Sequence, residues 1–178
     1  MINWLQIYGN HPVLLVASHN LPHIRENRLK PADMGTGEIA RLLANKLGVN
    51  ALISKSVQKD PNWYINSSFR KKVKEIIKKK RIITVIDIHG RKKGSPNLLE
   101  FLPNQNFTNK YNNLLKNKFI RPFKEDDQTT LSEDLESVNI PCVEIEVRKD
   151  GREGNTKEYK KVVKELTEMI STLVQVKN

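Results

Sequence analysis

The chain has 178 residues, 38% of them hydrophobic and 29% charged, a balance that suits one soluble globular domain over 1–178 and excludes a disordered chain. No apolar run reaches membrane-spanning length, the N-terminus has neither the basic nor the apolar region of a signal peptide, and the sole cysteine, Cys142, excludes an internal disulfide, so a cytoplasmic protein is expected. The formal charge of +11, concentrated in basic runs at 70–74, 78–81 and 91–93, suits either a nucleic-acid surface or a solvated helix face. No nucleic-acid-binding motif accompanies it and aromatics are only 6%, so nucleic acid is not the expected partner.

Strands are predicted over 3–8 and 13–18, joined by the turn Gly9-Asn10-His11-Pro12. A polar, irregular stretch covers 19–35. The spacing of Ile39, Leu42, Leu43 and Leu47 predicts a helix over 36–47, with Thr36 as N-cap and Gly48 just past its end. A strand is expected over 51–56 and a turn at Asp60-Pro61-Asn62. The second helix, 68–80, turns Phe69, Val73, Ile76 and Ile77 inward and its lysines outward. The β-branched run 82–88 reads as a buried parallel strand. A loop over 90–96, a strand over 98–102 and a helix over 107–119 follow. The last strand covers 142–147, and Tyr159, Val162, Val163, Leu166, Ile170 and Leu173 mark a closing helix. This alternation predicts an α/β layered domain with a largely parallel sheet and an antiparallel start.

Three of these strands finish on, or carry near their end, a side chain suited to a metal: His19, His89 and Glu146. In open α/β sheets the strand tips converge on the ligand site. Asp87 shares a strand face with His89 and can orient it as a metal-bound imidazole requires. Hydrolytic zinc takes three protein ligands and keeps a fourth position for water. Glu26 is the expected carboxylate, joined either by His19 across a six-residue loop or by His23 in an H-x-x-E pair; the residues alone leave both open. On the last strand Val143, Ile145 and Val147 point one way and Glu144, Glu146 and Arg148 the other. Glu146 is a candidate general base. Each of these groups alone has a plainer reading, as a turn histidine or a solvated acidic face. Their conjunction points to a zinc hydrolase. Arg25, Arg28, Arg148 and Arg152 lie on or beside these segments, where one can clamp a substrate carboxylate or an oxyanion.

The segments VASHNLPHIRENRLKPADMGTGEIARLL, DPN at 60–62, VIDIHG and IPCVEIEVR occur in that order from near residue 13 to about 150. This ordered set resembles the N-formylglutamate amidohydrolase family, and more closely its short, poorly characterised members. The resemblance implies a zinc-carboxypeptidase-like, phosphorylase/hydrolase-like fold, a three-layer α/β sandwich with a mixed, mostly parallel sheet. It implies one zinc ion, or another divalent metal, held by His19, Glu26 and His89, with His23 a bystander and Glu146 as base. The implied substrate is a small acidic N-acyl amino acid such as N-formylglutamate, or a peptide-like compound, gripped by Arg25 or Arg148. Asn20 after His19, the basic Arg91-Lys92-Lys93 after Gly90 and the short chain depart from the family pattern, and bear on the substrate more than on the metal. The alternatives are a peptidase or poly-γ-glutamate hydrolase, and a basic nucleic-acid-binding protein on an inactive hydrolase scaffold.

Overall fold

A computed structural model describes residues 3–121 and 130–175. The main sheet is built from β1 (Trp4–Ile7), β2 (His11–Ala17), β5 (Val49–Ser54), β7 (Thr84–Arg91), β8 (Leu99–Pro103) and β9 (Cys142–Arg148), in the order β1-β5-β2-β7-β9-β8. The inner strands β5, β2, β7 and β9 are parallel; β1 and β8 lie antiparallel at the two edges. A small second sheet, β4-β3-β6, consists of β3 (His23–Arg25), β4 (Arg28–Lys30) and β6 (Gln58–Lys59).

Residues two apart on a strand share a face, which makes each inner strand two-sided. On one side Val13, Leu15, Ala17, Ile86, Ile88, Val143, Ile145 and Val147 pack against α1 (Thr36–Leu47), α3 (Gln105–Leu115) and α5 (Lys157–Gln175). On the other, Leu14, Val16, Leu52, Val85 and Cys142 pack against α2 (Ser68–Lys80) and α4 (Leu131–Glu136). The fold is the expected three-layer sandwich with a mixed, mostly parallel sheet. Burying one such aliphatic side chain is worth about 1.5–3 kcal/mol, which is why inner strands apolar on both faces need helices on both sides.

Two features of this frame place the site. From β2 the chain crosses through α1 to β5 on one side, then through α2 to β7 on the other, so the carboxyl ends of β2 and β7 flank the point where strand order reverses. Along the α2 face, Val85 and Cys142 are followed two and four residues later by Asp87 and His89 and by Glu144 and Glu146. The face changes from apolar to ionisable within one strand length.

Both predicted early helices have the expected bounds, because their ends are chemically marked. Gly48 (φ 63) ends α1 in the left-handed region, and the Ser67 side chain accepts from Arg70 N at the start of α2. The N-cap of α1 is Gly35 (φ 91) rather than Thr36. Helix α3 stops at Leu115, short of 119, and Asn117 then takes a left-handed conformation (φ 63). The stretch expected to be irregular contains the β3–β4 hairpin, too short to show periodicity. Helix α4 escapes prediction for the same reason: it has six residues and is fixed by a Thr130–Glu133 capping box. No helix among the described residues is long and apolar enough to cross a membrane.

Candidate metal centre

His19 leaves the end of β2 and His89 lies near the end of β7, and their rings meet edge to face with centroids 4.6 Å apart. Asp33 joins them from the loop before α1, where its N–H donates to the His19 carbonyl at 2.8 Å and its own carbonyl accepts from Thr36 N and Oγ1. One carboxylate oxygen, Asp33 Oδ2, stands 3.7 Å from His19 Nδ1 and 3.7 Å from His89 Nδ1. That is too long for a hydrogen bond. It is close to the ~3.4 Å edge of a tetrahedron with metal–ligand bonds of about 2.0–2.1 Å.

The far sides of both rings support this reading. His19 Nε2 lies 2.8 Å from Asp60 Oδ1, and His89 Nε2 lies 3.0 Å from Asp87 Oδ2. Asp60 and Asp87 are buried acceptors, which favours a proton on each Nε2; at His89 the Asn62 amide nitrogen, 3.2 Å from the same Nε2, shares that position. In the neutral ring Nδ1 then holds the lone pair, aimed at the shared space. Carboxylate, imidazole and cation in line is the arrangement that orients histidine ligands.

A second group, His19, His23 and Asp60, also brings three ligand-type atoms together. Its chemistry is different. His23 Nε2 is 3.3 Å from Asp60 Oδ2, and the Arg25 guanidinium binds the same oxygen through Nε at 2.7 Å and Nη2 at 2.6 Å. A carboxylate already carrying an arginine and hydrogen-bonded to imidazoles has no room for a cation. His23 stacks on His19 at 3.9 Å, and burial, with His19 beside it, lowers its pKa to about 4.

The expected carboxylate, Glu26, joins neither group. Glu26 and Asn27 form the tip of the β3–β4 hairpin with φ of 51° and 58°, and that turn leaves the Glu26 side chain exposed. Arg25 is engaged with Asp60. Arg148 is engaged with Asp150 through Nε at 2.7 Å and Nη2 at 3.0 Å, and with the Ser95 carbonyl through Nη1. Asp33 and Asp60, absent from the expected set, lie beside recognisable signals, a helix start and an Asp-Pro turn. Those signals explain the two residues locally and hide their nearness to the histidines.

Glu146 is the register partner of His89 on the neighbouring parallel strand, and its Oε2 is buried with no hydrogen-bond partner among the described residues. Burial raises its pKa; His89 pulls it back down, while Glu144 and Asp33 push it further up. Burial alone would depress both histidines. The carboxylates of Asp33 and Asp60 instead raise His19, and those of Asp87, Glu144 and Asp33 raise His89. Burial opposes ionisation of Asp33 too, yet the two imidazoles it faces hold its pKa below the usual range. The surroundings therefore favour positive charge at this point, as protons or as a metal ion.

For the metal-free protein, stabilisation from His19 and His89 is fully present below 6.5 and is lost as pH rises through the raised folded values. A metal ion needs both rings neutral, so its affinity runs the other way and climbs with pH. Calorimetry in buffers of different ionisation heat is expected to detect about one to two protons released per ion bound near neutral pH.

No family model matches the sequence, and no curated protein matches it. Solved structures do. An Agrobacterium tumefaciens gene product aligns with TM-score 0.67 at 17% identity over 96% of this chain and 92% of its own. A bacteriophage poly-γ-glutamate hydrolase aligns with TM-score 0.54 at 12% identity over 99% and 92%. N-formylglutamate amidohydrolase from Ralstonia eutropha aligns with TM-score 0.65 at 10% identity over 98% of each chain. At such identities the likeness shows the fold alone, the three-layer α/β sandwich with a mostly parallel sheet.

Proposed function

We propose that this protein is a metal-dependent amidohydrolase in which His19, Asp33 and His89 hold one divalent cation and Glu146 is the general base. The observation that carries the reading is the convergence of His19 Nδ1, His89 Nδ1 and Asp33 Oδ2, with a buried carboxylate behind each imidazole. Zinc suits two nitrogens and one carboxylate oxygen, and manganese or iron can take the same donors. The bound ion supplies a Lewis acid that polarises the scissile carbonyl and acidifies water. Asp60 and Asp87 keep the ligand nitrogens aimed. The partly buried Glu146 accepts a proton from the attacking water and returns it to the leaving nitrogen.

The proposed substrate is a small acidic N-acyl amino acid or a peptide-like acid. With Arg25 and Arg148 engaged elsewhere, Arg121 is the better anchor. Its Nη2 stands 3.7 Å from Glu146 Oε1, its Nε stands 3.7 Å from Glu100 Oε2, and about a third of the side chain is exposed. A cleft of about 750 Å³ adjoins Asp33 and is rimmed by Arg91, Lys92 and Lys149, room for an acid longer than a single amino acid. This favours peptide-like substrates, poly-γ-glutamate among them, as the second reading.

The test is to purify the protein without added metal, measure bound metal, and screen N-acyl amino acids and glutamyl peptides after loading. No bound transition metal and no amide hydrolysis would overturn the proposal. In an active preparation Arg121→Ala is expected to raise KM about tenfold or more for substrates bearing a carboxylate, and to leave neutral amide analogues unaffected.

A further inference from the structure

Four segments deliver the site groups separately, and one side chain touches three of them. Arg152 follows the 3₁₀ turn Lys149–Gly151 beyond β9. Its Nε donates to the Val147 carbonyl at 3.1 Å, Nη1 to the Met34 carbonyl at 2.6 Å and Nη2 to the Arg91 carbonyl at 3.1 Å. Val147 follows the base Glu146, Met34 follows the ligand Asp33, and Arg91 lies two residues past the ligand His89. The backbone is shaped around this guanidinium. A Cβ on Gly90 would lie 2.4 Å from Arg152 Cζ, and one on Gly35, already at φ 91°, would lie 2.4 Å from the Arg152 carbonyl oxygen. Asp33 belongs to no strand; its N–H bond to His19, the two bonds from Thr36 to its carbonyl and this tie at Met34 hold it opposite the two imidazoles.

We propose that Arg152 is a positioning residue that holds the Asp33 loop in register with the ends of β7 and β9, and so sets the spacing between the third metal ligand and the general base. The inference rests on the metal-dependent reading above. A planar guanidinium presents its donors in a fixed fork, whereas an ammonium is a point charge on a flexible stem and cannot span three carbonyls in this geometry. A brace needed only for folding would change thermal stability and leave the cation's surroundings as they were.

The experiment uses cobalt(II) as the probe, titrated into wild-type protein, Arg152→Lys and Arg152→Ala, with far-UV circular dichroism to establish folding. Arg152→Lys is expected to stay folded, to bind cobalt about 10- to 100-fold more weakly, and to show a shifted d–d spectrum because Asp33 no longer sits at its proper distance. Guanidinium at millimolar concentration is expected to restore the spectrum of Arg152→Ala, and methylammonium is not. If Arg152→Lys does not fold, Gly90→Ala carries the same test, since its methyl displaces the guanidinium while Arg152 stays in place. Wild-type affinity and an unchanged spectrum in the folded variant would overturn the brace alone. Failure of the wild-type protein to bind cobalt would overturn the metal reading and the brace with it.

Discussion

Replacing His89 with alanine is expected to lower metal affinity by about two orders of magnitude or more and to abolish metal-dependent activity. In the proposed site the ring supplies one of three ligand atoms, and losing a ligand costs more than the 10- to 100-fold typical of an outer hydrogen-bond partner. The same substitution leaves the buried Asp87 carboxylate facing a void, so thermal unfolding must be followed alongside metal content. Asp33→Asn avoids that complication, because it keeps the shape and removes the anionic ligand. It is expected to reproduce most of the affinity loss. Glu26→Ala is the discriminating control: an exposed side chain at a hairpin tip should be removable without effect. Weaker metal binding in Glu26→Ala together with undiminished binding in Asp33→Asn, read by equilibrium dialysis, would reverse the assignment of the carboxylate ligand.

Glu146→Gln is expected to reduce kcat by about 10²- to 10⁴-fold, the usual contribution of a positioned general base, with metal content unchanged. Glutamine preserves size and can still meet Arg121, so the loss isolates proton transfer. The geometry that supports the expectation is the cross-strand pairing of Glu146 with His89, which sets it on the strand next to a proposed ligand, while it joins neither candidate ligand group. Glu144 is the internal rival. It is more deeply buried, is the register partner of Asp87, and has its pKa raised by burial, with His89 opposing the rise. If Glu146→Gln keeps more than a tenth of the wild-type rate while Glu144→Gln does not, the base is Glu144.

What could be read in the chain beforehand divides along physical lines. Helices α1 and α2 have periodic apolar faces and marked ends, and β2, β7 and β9 have apolar runs that stop at charged residues, so His19, His89 and Glu146 stood out. Asp33 did not. It lies three residues ahead of a helix in a segment without periodicity, and only the bond from Asp33 N to the His19 carbonyl and the Arg152 tie bring it to the histidines. Glu26 attracted attention because it adjoins Arg25 and lies near two histidines in the sequence, but two left-handed residues at the hairpin tip carry it away from them. Arg25 and Arg148 read as available in the sequence, and folding supplies each with an aspartate. Sheet order, which places β2 beside β7, has no signature in any local pattern.

The crowding around Asp60 makes the two imidazole arms unequal. Its two oxygens serve His19, His23, Arg25 and the Asn62 N–H, whereas Asp87 keeps Oδ1 free of any hydrogen bond among the described residues. A carboxylate whose electron density is divided among several donors polarises any one of them less. In the proposed site His19 would accordingly be the weaker nitrogen donor of the two. A change at His23 or Arg25 would thus reach a cation in that site through a carboxylate outside its proposed ligand set.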